Sequence, residues 1–139
     1  MSAASNYLEN KVLDHVLRNT SYSQPSGLWL ALFNNTSGSA ATNLEAGTLT
    51  DETSTSGTAY VRKAVTFAAS SSGTAATSAT VTFDAATANW GTISHVAIMD
   101  GATAGAGNVL FWGAVTTPKT IETGDTFQVT SGNLTVSLA

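Results

Sequence analysis

Apolar and polar residues along this chain follow two different periods. Leu8, Val12, Leu13, Val16 and Leu17 recur at spacings of three to four, so "NYLENKVLDHVLRN" reads as an amphipathic α-helix over about residues 6–19. Asn6 is placed to cap its N-terminus, with Glu9 three residues on in the manner of a capping box. Asp14 and Arg18 stand at i,i+4 on the far side. The expectation is a lid whose apolar face packs on its own domain, the alternative being a helix that packs on a neighbouring copy. His15, at the border of that face, is expected to be a satisfied boundary histidine. "SQPSG" ends the helical region by Pro25 and Gly27.

After Gly27 the period falls to two. "LWLALFN" (28–34), "AYVRKAVTF" (59–67), "ATVTFD" (79–84), "ISHVAIM" (93–99), "VLFWGAV" (109–115), "KTI" (119–121), "TFQV" (126–129) and "NLTVSL" (133–138) read as about eight short strands. The Gly, Asn, Asp and Ser clusters between them, such as Asp100-Gly101 and "AGAGN", are turn formers. Many short strands at this spacing predict a mainly β fold: an antiparallel β-sandwich or jelly roll with one N-terminal helix. The expected core is Leu30, Leu32, Val61, Val65, Val81, Phe83, Val96, Ile98, Leu110, Trp112, Phe127, Val129, Val136 and Leu138. Two polar stretches interrupt the strands, 34–57 and 68–79, and one of them is expected either to order against another chain or to stay a solvated loop.

The chain has 139 residues, enough for one domain that buries roughly 68% of its unfolded surface. No independent boundary divides it, so residues 1–139 are read as a single unit. Only 10% of residues are charged and the net charge is −4, which weakens repulsion between copies and permits self-association. Five basic residues cannot supply a phosphate-neutralising stripe, so no nucleic-acid partner is expected. The N-terminus has neither a basic nor an apolar leader region, and "LWLALF" is too short to span a bilayer, so no membrane partner is expected either. Asn19, Asn35 and Asn133 each begin an Asn-x-Ser/Thr triplet, read as chance in so threonine-rich a chain.

The absence of cysteine removes disulfides, thiolate metal sites and cysteine nucleophiles. His15, His95 and abundant serine permit a triad by count alone, but no G-x-S-x-G elbow is present. The two histidines lie on different elements, no H-E-x-x-H occurs, and the acids lack the spacing of a calcium loop. Gly105-x-Gly107 lacks a third glycine and reads as a turn. Asp84 and Asp100 are candidates for a glycosidase pair only because little else is present, and both stand where aspartate ordinarily ends a strand or opens a turn.

In "ANWGTISHVAIMDG" the strand is expected to put Val96 and Ile98 on one face and Ile93, His95, Ala97 and Met99 on the other, making His95 a structural, hydrogen-bonded residue. Trp90 and Trp112 each precede a glycine whose bare backbone a ring could cover, and both are read as packing. No catalytic, cofactor-binding or metal residue is assigned, no cofactor is expected, and the chain is read as non-enzymatic.

The succession "NYLENKVLDHVL", "LWLALF", "YVRKAVTF", "NWGTISHVAIMD" and "LFWGAVTTPKTIETGDTFQV" resembles a family of small tailed-bacteriophage virion proteins, described as capsid cement or decoration proteins and as tail-fibre-like proteins. The resemblance covers nearly the whole chain and carries no catalytic motif. It implies a jelly-roll-like β domain, made in the host cytoplasm, that assembles as an oligomer on the outer surface of a phage head; the apolar helix, the long adaptable loop and weak charge repulsion lead to the expectation of a dimer or trimer. The leading expectation is a capsid cement protein whose partner is the phage major capsid protein. A tail- or head-fibre protein recognising a host surface glycan comes second, and a glycan-cleaving enzyme third. Copy number separates the first two, hundreds per particle for a cement and a handful for a fibre.

Overall fold

The computed structural model describes residues 3–138. Its main sheet has five antiparallel strands in the order β1-β7-β6-β2-β3: β1 (Ala3–Ala4), β2 (Trp29–Asn34), β3 (Lys63–Ala64), β6 (Gly91–Met99) and β7 (Val109–Ile121). Two antiparallel ribbons accompany it, β4 (Thr74–Ala76) with β9 (Thr135–Ser137) and β5 (Val81–Thr82) with β8 (Gln128–Val129). Helices α1 (Asn6–Leu17) and α2 (Ala40–Glu45) complete the order. The fold is thus mainly β and antiparallel with an N-terminal helix, as expected.

Both faces of the central strands are covered. Leu30 and Leu32 of β2 and Val96 and Ile98 of β6 meet Tyr60, Val81, Phe83, Trp90 and Phe127, with half-buried Val129, Leu134 and Val136 of the ribbons packed against them. Aromatic rings fill this layer, Tyr60 stacked on Phe83 at 6.1 Å and Trp90 edge-on to Tyr60 at 5.5 Å. On the other face Ala31, Phe33, Ala97, Met99 and Val109 meet Leu44 of α2, with Leu49 and Trp112 alongside. This two-sided burial explains why "LALF" is continuously apolar instead of alternating.

Several expectations are corrected by the packing. The connection 34–57 contains α2, buries Ala40, Leu44, Asp51 and Thr53, and is ordered by its own chain. Within 68–79, residues 74–76 form β4 because β9 offers them a partner. In 59–67 only Lys63–Ala64 joins a sheet, since Ala59 takes a positive φ of 60° and Arg62 turns into the interior. The segments 109–115 and 119–121 are one strand. Between the pairs His95↔Ala114 and Ile93↔Lys119, β6 contributes only Ser94 while β7 contributes residues 115–118. This bulge accommodates Pro118, which has no N–H to give a ladder. It also sends Ile93 into the same core as Val96 and Ile98, not to the face of His95.

Val61 and Leu138, expected in the core, are 49% and 59% exposed, and Trp112 is only half-buried. The helix is the largest correction. It runs over Asn6–Leu17, not to residue 19, and Ser5 is its cap in place of Asn6. Ser5 accepts from Leu8 N at 3.3 Å, donates to the Val109 carbonyl, and is fully buried. Glu9 then falls one position too late for a capping box. Leu8 is the helix's buried residue, whereas Leu13, Val16 and Leu17 are 54%, 70% and 74% exposed. The helix is amphipathic, but it is not a lid on its own domain.

Candidate functional site

Tyr60 and Arg62 stand two residues apart on an extended segment, so both point to one side, and that side is the interior. A buried guanidinium requires a counter-charge, and Glu52 supplies it from the 34–57 connection. Arg62 Nε and Nη2 donate to the two Glu52 carboxylate oxygens at 2.7 and 2.8 Å. Its Nη1 donates to the carbonyls of Gly101 and Ala106 at 2.8 and 2.9 Å. Glu52 also accepts from Gly105 N at 2.8 Å and from the Tyr60 hydroxyl at 3.0 Å. That hydroxyl accepts in turn from Leu32 N at 3.0 Å. Burial, and then the Glu52 carboxylate, hold the Tyr60 phenol far above its ordinary range. The cluster joins β2, the 34–57 connection and the β6–β7 turn, and its donors and acceptors are taken up by one another. It fastens these three segments to one another. Neither Arg62 nor Glu52 is among the residues singled out from the sequence, although an arginine two residues from a tyrosine in an apolar segment is a readable sign of a buried polar pair.

Each residue singled out from the sequence has its own structural partner. His15 lies exposed on α1 and accepts from Tyr22 N at 3.2 Å through Nδ1. His95 Nδ1 lies 2.9 Å from Ser94 Oγ, beside the Trp112 ring at 6.4 Å. Burial lowers its pKa, opposed by the Asp51 carboxylate. Asp84 pairs with Lys63 at 3.0 Å on the surface. Asp100 accepts from Asn108 N and Nδ2 at 2.7 and 2.8 Å and so closes the β6–β7 turn. Gly105 and Gly107 sit in that turn at φ 76° and 82°.

Trp90 is buried and donates to Thr58 O at 2.8 Å, while Trp112 donates to Glu45 Oε2 at 2.7 Å and ties α2 to β7. Gly91, which follows Trp90, takes a positive φ of 79°. The Trp29 ring lies against Gly27. Among the described residues no group of three or more His, Cys, Asp and Glu is arranged to hold a metal ion.

What remains open to a partner is surface. The aliphatic face of α1, formed by Leu13, Val16 and Leu17, is the densest exposure of large apolar side chains among the described residues. A separate apolar cleft of about 330 Å³ lies between Leu28, Phe67, Phe111, Val136 and Leu138. Exposed apolar surface of this kind is a candidate surface for contact with other macromolecules.

A sequence profile of the family described as Podophage GP4 fiber I protein gp80 matches residues 3–137. No curated protein matches the chain.

Proposed function

The chain belongs to the family described as Podophage GP4 fiber I protein gp80, and on that premise we propose that it is a structural subunit of a podophage fibre. It is a phage virion protein. In the proposed role it acts by rigid presentation of surfaces to other virion components, not by catalysing a reaction. The observation that carries this reading is the family match, which takes in both helices and all nine strands of the described residues. The fold supports it. Buried polar groups are spent on fastening one segment to another, and three of the five exposed large apolar side chains among the described residues lie on α1.

The test is the copy number and position of this protein in purified particles, by densitometry against the major capsid protein and by immunogold labelling. A handful of copies at appendages supports the fibre subunit. Hundreds of copies spread over the shell would replace it with the capsid-cement role, with the major capsid protein as partner.

A further inference from the structure

We propose that copies of this chain associate through α1 itself, packed parallel and in register about a shared symmetry axis, with Leu13 and Leu17 each against its own counterpart. The inference rests on α1 alone and holds for a fibre subunit and a shell subunit alike.

At about 3.6 residues per turn, Leu17 lies diametrically opposite the buried Leu8, with Asn6, Asn10 and Leu13 within about 40° of it. Positions 6, 10, 13 and 17 follow the four-three-four spacing of a coiled-coil seam, and Val16 flanks its aliphatic half. The domain leaves this seam free because α1 is held at its first turn, by Ser5 on the Val109 carbonyl, by Ser5 N on Leu110 O at 2.9 Å and by Leu8 in the interior. The body of each copy therefore lies on the far side of its helix from the seam and does not obstruct a partner.

The seam is polar in its N-terminal half and aliphatic in its C-terminal half, and this selects both the occupant and its direction. Full antiparallel overlap sets Leu17 against Asn6 and Leu13 against Asn10, leaving amides against aliphatic surface with no partner. An antiparallel pair slid until the leucines meet covers only half the helix. Parallel, in-register copies bring like onto like along all twelve residues. Leucine layers form at 13 and 17, and the Asn10 amide, both donor and acceptor, meets its own copy.

No seam position carries a charge; of the flanking acids that this alignment brings together, Glu9 meets an Asp14 whose charge is already paired with Arg18 at 3.2 Å. The exposed parts of Leu13, Val16 and Leu17 amount to on the order of 300 Å² per copy, as large as the largest apolar patch of many monomers. A standard interface covers about 800 Å² a side. The seam of α1 is therefore one part of the contact between copies, and parallel overlap uses more of it than either antiparallel arrangement.

Because the chain has no cysteine, a single introduced thiol reports on its own position. Under mild oxidation at tens of micromolar, Leu17→Cys and Leu13→Cys are each expected to form a disulfide-linked pair with themselves, since parallel register sets each residue beside its copy. A mixture of the two variants that links more readily than either alone would show antiparallel packing and overturn the proposal. In sedimentation, Leu13→Asp and Leu17→Glu are each expected to weaken self-association by about tenfold or more. Both side chains are more than half exposed, so the far-UV circular dichroism should not change. Val61→Asp, at an exposed apolar residue outside α1, should leave association intact. A wild-type chain that is monomeric at tens of micromolar, association that survives Leu17→Glu, or equal loss in Val61→Asp would each overturn it.

Discussion

Arg62 and Glu52 meet as a bidentate pair, Nε to Oε1 at 2.7 Å and Nη2 to Oε2 at 2.8 Å, with side chains 0% and 4% exposed. Two charges so far from water are stable only together. Arg62→Met strands the Glu52 carboxylate in the interior, and the expected loss of unfolding free energy is about 3–5 kcal/mol. Replacing both partners, Arg62→Met with Glu52→Leu, should cost less than the single change, because no lone charge remains. Urea titrations of the two variants and the wild type check the order.

Ser5 links α1 to the sheet in both directions, accepting from Leu8 N and donating to the Val109 carbonyl. Ser5→Ala removes the cap and leaves a buried acceptor short of a partner, for a loss of about 1–2 kcal/mol. The effect should concentrate at the helix, with faster amide hydrogen exchange in α1 and little change in β2 and β6.

Gly107 has a φ of 82°, and a Cβ there would lie 2.9 Å from Asp100 Oδ1, whereas Gly91 has a φ of 79° in open space. Alanine at either position carries the left-handed backbone penalty of about 1–2 kcal/mol. Gly107→Ala must also displace the carboxylate that holds Asn108. Its melting temperature should therefore fall further than that of Gly91→Ala.

His95 has a folded-state pKa below its ordinary value, because partial burial penalises the cation. Below the unfolded-state pKa of about 6.5 the unfolded chain binds the proton more readily, so stability falls as pH falls through that value. His95→Gln removes this dependence. Melting temperatures between neutral and mildly acid pH should fall more steeply for the wild type than for the variant, and parallel curves would count against the assignment.

Local patterns in the sequence determined a good part of this protein. The three-to-four spacing from Leu8 to Leu17 suffices for a helix, because it depends only on the helical repeat. The apolar run at 29–34 and the apolar residues from Ile93 to Met99 mark β2 and β6, and the Asp100–Asn108 turn is written in its glycines and its short polar side chains. Mainly β character and an N-terminal helix were legible on that basis, while the likeness to phage virion proteins came from the resemblance of whole sequence phrases.

Tertiary structure alone decided where those elements point. An amphipathic pattern states that a face avoids water, not what covers it. Here the clamp at Ser5 and the burial of Leu8 turn Leu13, Val16 and Leu17 outward. The polar 34–57 connection was expected either to order against another chain or to stay solvated, yet Leu44 and Glu52 find partners in β6 and Arg62, contacts that no local window contains. The break read between residues 115 and 119 disappears because β6 pairs with both halves of β7 and a bulge absorbs the surplus residues. Periodicity is a property of neighbours along the chain, whereas burial is a property of neighbours in space, and in this fold the two part company at α1, Arg62 and Pro118.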